Sequence, residues 1–250
     1  MWRGSAVAAA AAIAAYTVYR RRRPLPSDPE EEAKPIGRVI SHSDEEAEDI
    51  GRVLSYWFDG DFSELLSTRW FVQPDSGAQR ALDAHIARAF GPLLRRAERG
   101  ELCSWERTPR GRLALILLLD QFSRHVHRAA RERVDENDAR ALELTSTLLA
   151  GGGERELREL AAAHLVFALM PLRHTPTIER LEAVLRHVGS ATSRSESELR
   201  LLERFRKQTA LRLLHLQGGE GDPNDILEQP DLEVQLPNPH HSPLTSHLSP

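Results

Sequence analysis

The stretch "LALILLLDQFSRHVHR", residues 113 to 128, runs seven apolar residues straight into an acid, an amide and a cluster of arginines and histidines. At helical spacing Asp120 falls on the stripe of Leu113, Ile116 and Leu117, and Arg124 and Arg128 follow it at successive four-residue steps. A carboxylate on an apolar stripe is drawn toward the interior, where an unpaired charge costs several kcal/mol. Arg124 is the group placed to neutralise it, and Gln121, on the adjacent stripe with Leu117 and Leu118, can satisfy polar groups of a neighbouring helix.

Two chemistries fit this pattern. In one, Asp120, Gln121 and Arg124 cross-link helix ends. In the other they belong to a small anion pocket, with Arg124 and Arg128 as the clamp, His174 as general base and Asp120 as its orienter or as the arginine's counter-ion. His174 lies in "MPLRHTP", a proline-bounded helix junction that can turn the ring inward. His164, inside "AAAHLVFALM", reads instead as a core histidine.

Other chemistries find little to work with. His125 and His127 stand about 200° apart around a helix and cannot share one metal ion. His240, His241 and His247 are scattered through a proline-rich tail. No metal-ligand spacing, glycine-rich phosphate loop or activated nucleophile is present, and no cofactor is implied. Cys103 is the single cysteine of the 250 residues, which excludes an internal disulfide framework. A net charge of -4 gives no general attraction for nucleic acid.

The elements that must hold these residues read as helices throughout. Ser43 and Glu46 form a capping box ahead of Ala47, Ile50, Val53, Leu54, Trp57 and Phe58. A second helix runs from Ala78 to Gly100, with Gly91-Pro92 allowing a break. Thr108-Pro109 opens the segment that carries Asp120. Later helices span Asn137 to Leu149, Glu154 to Met170, Thr177 to Val188 and Ser195 to Leu216. The expectation is an all-α domain, an antiparallel array of about seven helices over residues 43–217.

Around that domain lie a linker at 24–42, rich in Pro, Glu and Ser, and a tail at 218–250 too polar and proline-rich to pack. Residues 1–23 read as an anchor or targeting segment. Ala6 to Tyr19 is uncharged and Ala-rich, and Arg20 to Arg23 close it. The expected placement is membrane attachment through residues 4–19 with the domain facing the cytosol, of the kind found in the outer mitochondrial membrane. A cleaved secretory signal and an organelle presequence are the alternatives.

The segments "VLSYWFDG", "RWF", "LDAHIARAF", "GPLLRRAERGELCSWERTPRGRLALILLLDQFSRHVHR" and "FALMPLRH" resemble, in that order, the signature segments of the domain of unknown function 924 family, over roughly residues 50 to 190. The resemblance implies a fold similar to tetratricopeptide-repeat proteins and no particular reaction. In the family the helix ends "DQFPRN" and the later junction reads "PLMHSED". Asp120, Gln121, Phe122, Arg124, Arg128, Pro171, Leu172 and His174 match by position. Ser123 stands for the proline, His125 for the asparagine and Pro176-Thr177 for the acidic pair. Of the family's C-terminal "FGRFPHRN" only Arg204-Phe205 corresponds.

Three functions of different classes remain. The first is a membrane-tethered helical scaffold offering a groove to a protein or peptide partner. The second is an enzyme acting on a small anionic substrate through the Asp/Arg/His pocket, and the third a family member that keeps only the fold. The anchor is the part that can be tested without knowing the partner. Full-length protein is expected to stay with membranes through carbonate extraction, while a chain shortened to begin at Ser43 is soluble. Recovery of a mature chain starting near residue 20 would point to cleavage instead.

Overall fold

The computed structural model describes residues 43–150, 161–191, 195–219 and 222–227. The expected anchor and linker, and most of the C-terminal tail, lie outside them, and no described helix is long and apolar enough to cross a membrane. Every described regular element is helical.

Helix α1 (Asp44–Phe58) starts with the expected capping box: Ser43 accepts from the Glu46 amide while Glu46 accepts from the Ser43 amide. Its buried stripe is Ile50, Val53, Leu54 and Trp57. Asp61 caps a short helix α2 (Phe62–Leu65), which widens into a π-helical turn over Leu66–Trp70. Helix α3 (Gly77–Glu98) runs through Pro92 without the break that Gly91-Pro92 would allow.

The central segment begins after a 3-10 turn at Cys103–Arg107. Thr108 caps it and Pro109 takes the first helical position, as the sequence suggested. Helix α4 (Pro109–Ile116), a wide π-helical turn (Leu117–Phe122) and helix α5 (Ser123–Val126) follow one another without a gap. Leu113 through Leu119 are all buried, which makes this the central helix of the core.

Helix α6 (Arg131–Ala150) starts earlier than the sequence pattern indicated, and α7 (Ala162–His174) ends at the proline-bounded junction. Helices α8 (Ile178–Gly189), capped by Thr177, and α9 (Glu196–Leu216), capped by Ser195, complete the array. The central segment packs against α1, α3, α6 and α7, while α7, α8 and α9 pack on one another in turn.

Chain beyond residue 217, expected not to pack, contributes one more helix, α10 (Pro223–Leu227). Asp222 caps it by accepting from the Asn224 amide, and Arg206 donates to the Leu227 carbonyl. Ile226 is buried with Leu181, Leu185, Ala210 and Leu213 in a small second cluster. A cap plus one well-placed isoleucine outweighs the polar composition around it.

Gly111 sits where the start of α4 crosses the preceding turn. A Cβ there would stand 2.2 Å from the Trp105 carbonyl oxygen and 2.9 Å from its carbon, both backbone atoms that cannot step aside. Trp105 itself is fully buried. Gly111→Ala should therefore push the central helix off the turn and cost about 1–3 kcal/mol, read as a lower urea midpoint. An unchanged midpoint would show that the turn yields freely.

Candidate functional site

Asp120 lies inside the wide turn of the central segment and its side chain is 0% exposed. Extra-wide helical turns recur at functional sites, and here the distortion coincides with the only acid of the segment. Three groups meet the carboxylate. His174, at the end of α7, places Nδ1 2.7 Å from Oδ1. Gln121 donates through Nε2 to Oδ2. Arg124, one turn on, brings Nη2 to 3.5 Å from Oδ1. Burial works against the charge, yet His174, Arg124 and Gln121 together hold the carboxyl below the usual carboxylate range.

Arg124 binds a second acid more closely. Its Nη2 donates to both carboxylate oxygens of Asp138, at 2.6 and 2.8 Å. Asp138 is buried on α6, on the same stripe as Val134, Ala141, Thr145 and Leu148. Burial pushes its carboxyl up to about 6, and the nearby Asp120 charge adds to this against the pull of Arg124. One acid of the pair therefore ionises readily while the second holds its proton to near-neutral pH.

His174 is 22% exposed at its side chain, and its Nε2 has no partner among the described residues. An ionised Asp120 can only accept, so Nδ1 carries a proton, and in the neutral ring Nε2 then presents a lone pair. Sequence reasoning had placed Asp120, Gln121, Arg124 and His174 together, and the structure brings all four into one cluster.

Arg128 goes elsewhere. Its guanidinium forms a fork onto Asp83 of α3, Nε to Oδ2 at 2.6 Å and Nη2 to Oδ1 at 2.8 Å. His125 reaches the same carboxylate at 2.8 Å and Gln79 donates to it at 2.9 Å. These bonds outweigh partial burial and lower the Asp83 carboxyl, while burial lowers the His125 imidazole. Arg128 is 48% exposed and makes no contact with Asp120. His127 turns to Glu98, at 2.7 Å, which also accepts from Asn137. The ring of His164 lies edge-on to Phe58, 4.1 Å between centroids, and burial lowers its imidazole.

Two further arginines belong beside the first cluster. Arg173, next to His174, lies 5.4 Å from the centre of the Phe205 ring. Arg212 stands two turns from Phe205 on the same face of α9. Burial first and the Arg212 charge second lower the Arg173 guanidinium; burial and the Arg124 charge lower that of Arg212.

Asp120, Asp138 and His174 could each offer a ligand atom to one metal ion, these atoms lying within 4.8 Å of one another. The Arg124 guanidinium already reaches both acids, and a metal would have to displace it.

The family described as bacterial protein of unknown function (DUF924) matches residues 53–217, a span that holds every residue of this cluster. No curated protein and no solved structure matches the chain.

The raised Asp138 carboxyl has a consequence for stability. Asp138 keeps its proton in the folded protein up to about pH 6, whereas the unfolded chain releases it near the ordinary 3.8. The stability it contributes is thus present below about pH 4 and lost as pH rises through 6, on the order of 3 kcal/mol in all. Asp120 has the opposite sign and acts only as pH falls below its ordinary value. In urea titrations Asp138→Asn should gain on the parent chain between pH 4 and pH 7; parallel curves would mean that Asp138 is ionised throughout.

Proposed function

Because the chain belongs to the family of bacterial proteins of unknown function 924, whose description names no reaction, we propose a function from the site alone: the domain takes a small anionic substrate and moves a proton on it through Asp120 and His174. One observation carries this reading. A fully buried carboxylate holds the Nδ1 of a partly exposed imidazole at 2.7 Å, and Nε2 is left without a partner among the described residues.

That arrangement is what general base catalysis requires. Asp120 fixes the tautomer and the plane of the ring, and it stabilises the imidazolium once Nε2 has taken a proton from water or from the substrate. Arg124 helps keep Asp120 ionised and so acts as a positioning residue rather than a catalytic one. Asp138 in turn holds Arg124 in place.

The scaffold reading has less to support it. The large apolar side chains most exposed among the described residues are Phe71, Ile178, Leu199, Leu211 and Leu216. Arg204 lies over one face of the Phe71 ring, 4.3 Å from its centre, and the three leucines point to different sides of α9. They offer no continuous stripe to a peptide.

The test is a panel of small carboxylate and phosphate esters, with proton release followed in weak buffer. Turnover by the parent chain should fall roughly 10²–10⁴-fold in His174→Gln, while the variant keeps its helical circular dichroism. Equal rates in the two proteins would overturn the proposal. So would a panel without any turnover together with a His174→Gln variant whose only defect is lowered stability, since the dyad would then be a clasp between helices.

A further inference from the structure

The Asp120 cluster does not account for all of the positive charge that packs beside it. Arg173 and Arg212 form no ion pair and no hydrogen bond with any described residue. The Nε of Arg173 is buried without a partner, and so is that of Arg124. A guanidinium cannot shed its proton to escape such a place, so it stays charged and underbonded.

The positions are not scattered. Arg173 precedes His174 on the last turn of α7, and its guanidinium lies over Phe205. Phe205, Thr209 and Arg212 share one face of α9, where Phe205 and Thr209 are buried. Arg173 feels the charge of Arg212, and Arg212 that of Arg124. These guanidiniums thus lie near enough for their charges to act on one another, and one of them, Arg124, holds the two acids. Like charges held together, partly out of water and short of hydrogen-bond acceptors, are a place prepared for an anion. The contrast with Arg128 sharpens the point, because that more exposed side chain has a two-bond fork onto Asp83.

We propose that Arg173 and Arg212 form the anion subsite of the domain and hold an oxyanion, carboxylate or phosphate, of a small ligand beside the Nε2 of His174. This deepens the reading of Asp120 and His174 as a proton-transfer dyad and rests on it for the ligand's fate, though not for its binding. The planar guanidinium fork suits both oxyanions, and the flat Phe205 ring under Arg173 keeps that fork from turning away. The role assigned from sequence to Arg124 and Arg128 thereby passes to two arginines that have no carboxylate of their own among the described residues.

The experiment is calorimetric titration and thermal unfolding of the full chain with inorganic phosphate in one arm and succinate in the other, at ionic strength fixed with sodium chloride. One of the two anions is expected to bind and raise the midpoint beyond chloride. Arg173→Met and Arg212→Met should each weaken that binding about tenfold or more, while unfolding without the anion no more easily than the parent chain, since each removes a repelling charge. If either methionine variant fails to fold, Arg173→Gln and Arg212→Gln take its place with the same expectation.

Neither anion binding better than chloride would overturn the subsite, as would methionine or glutamine variants that bind as tightly as the parent. Markedly lowered stability without anion in both the methionine and the glutamine variants would also overturn it, because the arginines would then be structural. His174→Gln separates the two proposals. Anion binding retained in that variant, with turnover absent in every protein, leaves the subsite standing and removes the proton-transfer dyad. Turnover that depends on His174 but not on Arg173 or Arg212 does the reverse.

Discussion

One carboxylate with no exposed surface, Asp120 in the wide turn of the central helix, sets the terms for the helices around it. A charge in that position costs several kcal/mol unless it is paired and hydrogen-bonded. The pairing is spread over separate elements: Gln121 and Arg124 come from the same run of helix, and His174 from the end of α7. Arg124 in turn draws in Asp138 from α6. The acid therefore fixes where two other helices must bring polar groups, while the seven apolar residues ahead of it anchor the segment in the core.

The polar clusters at Asp120 and at Asp83 differ in how completely they close. Asp83 has a two-bond fork from Arg128, a ring nitrogen of His125 and the amide of Gln79, which together tie α3 to the end of the central segment. Each of those groups meets the Asp83 carboxylate, although the second ring nitrogen of His125, like that of His174, has no partner among the described residues. Around Asp120 the pairing stops short: a ring nitrogen of His174, and the guanidiniums of Arg173 and Arg212, are left without acceptors or donors among the described residues. Two of the atoms there, the Nε of Arg124 and that of Arg173, are buried, and buried polar atoms are nearly always satisfied, so the place asks for a missing partner. That difference, more than the buried ion pair itself, separates a site from a clasp.

Much of the architecture could be read from residue spacing. The Ser43 capping box, the Thr108-Pro109 start and the inward histidine at the Pro171–Pro176 junction all follow from local rules that tertiary packing did not override. Asp120 stood out because it breaks an apolar stripe. Asp138 breaks one too, but with α6 read as starting at Asn137 it fell in the first turn, where an acid is ordinary. The structure starts that helix at Arg131 and moves Asp138 onto the buried stripe. Arg173 was hidden for another reason: with its helix read as ending at Met170 it fell in the junction, where an arginine is ordinary, and the structure carries the helix on to His174. The wide turns at Leu66–Trp70 and Leu117–Phe122 leave no mark in a 3.6-residue pattern, and which arginine meets which acid across helices is not a property of spacing at all.

The charge count around the dyad links ligand and proton. With Asp120 and Asp138 ionised, Arg124, Arg173 and Arg212 leave one positive charge over, which a singly charged anion would balance. A doubly charged one would overshoot unless the cluster took up a proton. Asp138, already holding its proton to about pH 6, is one group that can receive it. The His174 ring, bonded to Asp120, is the other. By linkage, an anion that binds better to the protonated cluster must raise the cluster's hold on that proton by the same free energy. Were the proton to settle on Nε2 of His174, the base would arrive as an acid, ready to give the proton to a leaving oxygen. The protonation state in which the dyad begins its work would then be set by the charge of the group held at Arg173 and Arg212.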